Sequence, residues 1–190
     1  IKDKWVKELK GITLSDIKLS IFQNNEKQQV AKGKVLFTHF GITGPTVLNL
    51  SRDVGELLKY GEVNIEIDLL PHLDYSMLNT ALQNLFKTHD KKKLKNALGE
   101  IIPNAMITPV LNKAELDGET ANNSVTRESR IKLGHTLKHL VMEVDKLLGT
   151  DKAIASSGGV DIREIDFRTM QSKLFPNLYI VGDLLDIDRP

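Results

Sequence analysis

The apolar residues of this chain keep one period before Pro71 and another after it. In "LSDIKLSIF" Ile17, Leu19 and Ile21 alternate with polar residues. In "EVNIEIDL" Val63, Ile65, Ile67 and Leu69 alternate with Glu62, Asn64, Glu66 and Asp68. Strict alternation puts one face of a segment in a core and the other toward water, so both stretches are expected as half-buried strands. Between them, "KVLFTHFGITGPTVLNLSRDVGELL" reads as a strand through Phe37, a turn from Gly41 to Gly44, and a helix with Pro45 near its first position. Proline is suited there because the N–H it lacks would have no helical partner.

Past Pro71 the helical period takes over. Leu78, Ala81, Leu82, Leu85 and Phe86 make one apolar stripe. "KKKLKNALGEII" is expected as a short helix with Asp90 as N-cap and Pro103 as its stop, and "ELDGETANNS" as a loop. "GHTLKHLVMEVDKLLG" gives the strongest helical pattern, with Leu137, Leu140, Val141, Val144, Leu147 and Leu148 on one side and Gly149 as C-cap. Strand signals return in "KAIAS", "GGVDIREI" and "NLYIVG", the last apolar enough for a strand buried on both faces. The expected fold class is α+β. A β-rich, barrel-like subdomain is formed from both ends of the chain, residues 1–71 plus 150–190, with an inserted helical subdomain at 72–149.

Composition removes several function classes. No cysteine is present, so disulfides, thiolate zinc sites and cysteine nucleophiles are excluded. The net charge of +1 gives no reason to expect a polyanion as partner. No apolar run approaches the ~20 residues that span a bilayer. A cytoplasmic protein with neither a nucleic-acid nor a membrane partner is the expectation. The basic runs "KKKLK" and "RESRIK" lack accompanying aromatics and read as solvated helix faces. His135, His139 and Glu143, four apart, could offer metal ligands from one helix, but they lie opposite the apolar stripe and read as an exposed polar face; no metal is expected.

Three small-residue segments are better site candidates. In "THFGITGP", Thr38 and His39 end a strand, while Gly41 and Gly44 precede a helix N-terminus. Such a turn can meet an anion or a polar cofactor edge through backbone N–H groups, or it can be an ordinary hydroxyl-capped strand–helix turn. In "ASSGGVDIRE", Ser156 to Gly159 leave room for backbone to approach a flat ligand, or they form a plain bulge or hairpin. In "NLYIVGD", a strand ends on Gly182 and Asp183, where a carboxylate could accept hydrogen bonds from sugar or ribityl hydroxyls.

Together, "LFTHFGITGPTVLNLSR" and "SSGGVDIREIDFRTMQSKLFPNLYIVGDLLDID" resemble the BaiN-like flavoproteins, the aminoacetone oxidase family of FAD-binding enzymes. The resemblance is dense at residues 33–52 and 153–188 and general elsewhere. It implies an FAD-dependent, possibly NAD(P)-linked oxidoreductase, of which this chain is the insertion region and the start of the return into the FAD domain. A fragment is therefore expected, because no GxGxxG occurs in it. The resemblance further implies that Gly158, Gly159 and Val160 form a flavin-proximal turn. It maps a G-[DE] pair onto Gly182 and Asp183, where the family often has Glu. Thr38, His39, Gly41 and Gly44 fall in a signature on the substrate or flavin side, and no catalytic base is assigned. The implied partners are the rest of the chain's own FAD domain and a small-molecule substrate. FAD belongs to the parent, and none is expected to stay on this chain alone. The competing reading is a binding or interaction module without chemistry.

Overall fold

Strand β1 (Thr13–Gln23) turns back into β2 (Glu26–Thr38) through Asn24 and Asn25, whose φ values are 51° and 63°. Two consecutive left-handed residues match the right-handed twist of the strands they join, and asparagine tolerates that region better than most residues. A computed structural model of the chain describes residues 1–149 and 158–187. The segment "KAIAS" and residues Ser156 and Ser157 lie outside the described residues.

The main sheet is antiparallel throughout, with β3 (Gly41–Thr43), β4 (Val63–Asp68) and β5 (Leu140–Glu143) adding to the hairpin in the order β3-β2-β1-β4-β5. The β1–β2 register slips between Leu14 and Ile17, where Asp16 takes φ 53°. A bulge of this kind bends and twists a strand, and the sheet curls into a half-barrel. Ile17, Leu19, Ile21, Val35, Phe37, Val63 and Ile67 are buried on its inner side, as the alternation requires. Helix α1 (Lys4–Glu8) precedes β1, and helix α2 (Pro45–Leu57), with Pro45 at its first position, packs on β2.

The helical layer is made of α3 (Tyr75–Thr88), α4 (Leu94–Leu98), α5 (Asn104–Ala114) and α6 (Arg127–Lys138). Asp74 caps α3 by accepting the Met77 amide, and Thr126 caps α6 by accepting that of Ser129. Leu78, Leu82, Leu85 and Phe86 are buried as their stripe demands, and Gly134 of α6 lies against Leu78 and Leu82. The buried apolar residues of sheet and helices form one continuous cluster from Val6 to Val144. The compact units are Ile1–Lys146 and Leu147–Pro190.

The expected helix over 134–149 is not formed. Helix α6 stops at Lys138 and the chain continues as β5, pairing Leu140 with Ile67 and Met142 with Ile65. Leu140, Met142 and Val144 are buried while Val141 is exposed, so period two governs this stretch. Leu147 and Leu148 are exposed and Gly149 caps no helix. Asp90 is not the cap of α4, which begins after Lys93; its carboxylate accepts the neighbouring Lys91 amide instead. Pro103 does not stop α4, which ends at Leu98 with Gly99 as its C-cap; it is the N-cap residue of α5.

The end of α6 is held by Lys138, whose side chain is almost fully buried. Its ammonium reaches Asp68 Oδ2 at 2.8 Å and donates to the carbonyls of Leu70 (2.9 Å) and Leu73 (2.6 Å). Asp68 also accepts the Leu70 amide at 3.0 Å and lies 3.3 Å from Lys18. Removing one member of a buried pair strands the other. Lys138→Met should therefore destabilise the protein by ~3–5 kcal/mol in chemical denaturation. Leu140→Ala should cost ~2–5 kcal/mol, since Leu140 is fully buried on β5. A loss below ~1 kcal/mol at either position would contradict these assignments.

Candidate functional site

In the unit Leu147–Pro190, the described residues organise around Ile165, Ile180 and Leu185. A two-stranded ribbon, β6 (Ile165–Asp166) and β7 (Gln171–Ser172), turns through Met170 at φ 60°. "GGVDIREI" is not one strand: a 3₁₀ turn at Ile162–Glu164 interrupts it before β6. "NLYIVG" is not a strand buried on both faces either. Tyr179 makes a single bridge to Gln171, and Leu178, Tyr179 and Val181 are exposed while Ile180 alone of that run is buried. The apolar composition was a poor guide because this unit buries few residues of its own.

The two glycine segments of this unit nevertheless come together. The Val160 amide donates to the Leu184 carbonyl at 2.8 Å, and the Asp186 amide donates to the Val160 carbonyl at 3.0 Å. Val160 and Leu185 thus pair in parallel. Gly159 permits this contact: a Cβ there would lie 2.6 Å from the Leu184 carbonyl oxygen and 2.8 Å from the Asp186 nitrogen. Gly158 and Gly182 have φ values of 101° and 69° and face open space, so bare backbone is presented on both turns. Asp183 is exposed within the 3₁₀ turn Gly182–Leu184. Nearby in sequence, the Arg163 guanidinium and amide hold the Asp161 carboxyl down to about 2.

"THFGITGP" has a clear local role. The Thr38 hydroxyl donates to the Gly41 carbonyl at 3.1 Å and closes the β2–β3 turn. Gly41 lies against Ile1, and a Cβ on it would be 3.3 Å from that side chain. Gly44, at φ 115°, is the N-cap of α2 with no side-chain cap, and a Cβ on it would sit 3.0 Å from the Lys34 carbonyl. The turn is therefore not hydroxyl-capped. His39 is exposed at its tip, edge-on to Phe40.

His135, His139 and Glu143 do not share a helix, and among the described residues no cluster of His, Cys, Asp and Glu has the arrangement of a metal site. His139 ends α6 and joins a chain that the sequence reading missed. Its Nδ1 lies 2.7 Å from Glu66 Oε1, and its Nε2 meets the Tyr75 hydroxyl. Since an ionised carboxylate only accepts, Nδ1–H donates to Glu66, and in the neutral imidazole Nε2 then accepts from the Tyr75 hydroxyl. Burial, then the Glu66 and Asp68 charges, hold the Tyr75 phenol above its ordinary value. The three residues are 75, 139 and 66, separated too widely for spacing to reveal them. Among the described residues no helix is long and apolar enough to cross a membrane.

Residues 1–155 match the family described as HI0933-like protein barrel and H2TH domain. The chain belongs to this family, which is associated with FAD-dependent oxidoreductases. It is 28% identical over 162 residues to a ribosomal RNA dihydrouridine synthase of Escherichia coli, covering 85% of this chain and 38% of that protein. It is 30% identical over 189 residues to the ribosomal RNA dihydrouridine synthase of Haemophilus influenzae, covering 97% of this chain and 43% of the relative. A 3-dehydro-bile acid delta(4,6)-reductase of Clostridium scindens is 25% identical over 179 residues, covering 92% and 43%. The chain thus spans about two fifths of the length of these curated relatives.

Gly159→Ala should break the pairing of the two turns, because the backbone atoms it would strike cannot rotate away as a side chain could. Hydrogen exchange should show the Val160 and Asp186 amides losing protection while the amides of β1 and β4 keep theirs. Retained protection at Val160 would refute the close contact.

Proposed function

We propose that this chain is the substrate-side part of an FAD-dependent oxidoreductase that saturates a carbon–carbon double bond beside a carbonyl. The observation that supports the reading is the pairing of Val160 with Leu185, which joins the segment after Gly158 to the segment after Gly182. The names of the three relatives support the reaction type, since dihydrouridine formation and delta(4,6) reduction both add hydrogen across such a bond. Within the wider family, the BaiN-like resemblance of residues 33–52 and 153–188 supports the same placement.

When bound, FAD supplies the hydride chemistry, with NAD(P)H as the source of the electron pair in a cytoplasmic enzyme. The chain's own part is to bind and shield. Gly158 and Gly182 let backbone approach the flavin's edge, and Asp183 accepts from ribityl hydroxyls. The barrel and helical layer take the substrate-side and lid role, with exposed His39 on the substrate or flavin side. For the substrate we take a uridine in RNA, because two of the three relatives carry that name. A small conjugated ketone is the second reading, supported by the bile acid reductase.

In the flavoenzyme that carries this chain, Asp183→Ala should lower flavin retention through gel filtration at least severalfold. The far-ultraviolet circular dichroism should be unchanged, because Asp183 is exposed. Flavin content equal to wild type would overturn the role of Asp183. A wild-type enzyme without bound flavin would favour a non-catalytic module instead.

A further inference from the structure

We propose that the cleft between α3 and α6 holds a single flat ring whose edge carries an N–H beside a carbonyl, a cyclic imide or lactam, and that Tyr75 and Arg130 recognise that edge. The inference rests on the reading of the substrate as a uridine and names the place that takes its base. The cleft has a volume of about 280 Å³, at the small end for ligand sites, which suits one ring better than a fused system. Leu78, Leu82, Ile131 and Gly134 give it apolar walls, and Tyr75 and Arg130 are among its polar lining. Among the described residues no carboxylate lines it.

The first observation is Gly134. It stands in the interior of α6, where glycine is the least favourable residue after proline. Its φ is not left-handed, so the backbone does not require glycine there. Packing does not require it either. A Cβ would lie 3.8 Å from Leu82 Cδ1 and 3.9 Å from Leu78 Cδ2, which is ordinary contact. An alanine would fit, stiffen the helix and cover two leucines. The missing methyl group leaves open space against those leucines instead. Keeping a destabilising residue where a stabilising one fits is the pattern of a site whose function needs the space.

The second observation is the direction of the hydrogen bonds behind Tyr75. Glu66 fixes the His139 proton on Nδ1, so in the neutral imidazole Nε2 accepts the Tyr75 hydroxyl. Burial, then the Glu66 and Asp68 charges, keep the phenol protonated. With its one proton committed, the Tyr75 oxygen has only acceptor capacity left for a ligand. Arg130 is the converse, since a guanidinium only donates. Its Nε donates to Asn79 Oδ1 at 3.0 Å, and its two amino groups have no partner among the described residues. Tyr75 and Asn79, which anchors Arg130, are one turn apart on α3, a separation of ~5–6 Å between Cβ atoms. One ring can therefore meet both. An acceptor and a donor beside apolar walls match a ring edge with a donor next to an acceptor. A ketone offers Tyr75 nothing, and an anion serves Arg130 alone. The imide N–H of uracil and a flanking carbonyl serve both.

The test titrates uridine and N3-methyluridine into the full-length flavoenzyme and its variants, followed by calorimetry. Wild type should bind N3-methyluridine roughly tenfold more weakly than uridine, the cost of one hydrogen bond left unmade. Tyr75→Phe should bind the two equally. Gly134→Ala should weaken uridine binding severalfold with the thermal midpoint unchanged or raised. Discrimination that survives in Tyr75→Phe would overturn the role of the Tyr75 oxygen. Unchanged uridine affinity in Gly134→Ala, or a lowered midpoint that shows a glycine needed for packing, would overturn the cleft. Wild type that reduces uridine in RNA without binding free uridine would also overturn the cleft and leave the substrate reading intact. Wild type that reduces a small conjugated ketone and not uridine in RNA would overturn the substrate reading itself.

Discussion

A buried ammonium decides how the two halves of the larger unit meet. Lys138 has three donors, and three acceptors surround it: the Asp68 carboxylate and the carbonyls of Leu70 and Leu73. Those acceptors come from the end of β4 and the linker that starts α3, while the donor sits on the last turn of α6. A cation out of water requires a carboxylate and carbonyls this close, since an unmet charge there is far costlier than a lost apolar contact. The Leu69 amide adds a bond to the Leu137 carbonyl at 3.0 Å, so the α6 terminus is stitched to β4 on both sides. From that point the chain has one short course available. It leaves the helix at His139 and runs antiparallel to β4 as the fifth strand. His139 is thereby set between Glu66 and Tyr75.

Much of the half-barrel was legible because its strands are buried on one face. Ile17, Leu19 and Ile21, and Val63, Ile65 and Ile67, could alternate for no other reason, and Pro45 marked its helix correctly. The misreading of 134–149 has a specific cause. Leu137, Leu140, Val141 and Val144 satisfy helical spacing, yet Leu140, Met142 and Val144 satisfy strand spacing equally well. Nothing local breaks the tie. The tie is broken by Lys138, a charge that would ordinarily be assigned to a solvated face and whose partners lie ~65–70 residues upstream. Long-range pairing of a buried charge is the kind of information that periodicity does not carry.

The glycines divide in a way that a motif alone cannot show. Gly33, Gly44 and Gly159 are places where chain presses on chain: a Cβ would meet Thr46, the Lys34 carbonyl or the backbone of residues 184–186. Gly158 and Gly182 are left-handed and open. The first group explains why helix α2 can lie on β2 and why two distant turns can pair. Gly11 and Gly149 share that open, left-handed backbone, so openness alone does not mark a ligand edge. "THFGITGP" and "SSGGV" look alike as small-residue runs, but the first is largely spent on packing, with His39 as its exposed side chain.

The same distinction between satisfied and unsatisfied groups separates the basic runs. As sequence, "KKKLK" and "RESRIK" are interchangeable blocks of charge, and net charge conceals them among nearly equal numbers of acids. In the fold, Glu100, Glu115 and Glu119 neutralise the cations that face α4 and α5. Among the described residues Lys87, Lys91, Arg127 and Arg130 make no such ion pair, but neither do Lys4, Lys7, Lys10, Lys27, Lys32 and Lys34 around α1 and on β2, so the unpaired charge is spread over the larger unit. Ion pairs on an exposed surface add little stability, so these pairs contribute little to bracing the helices.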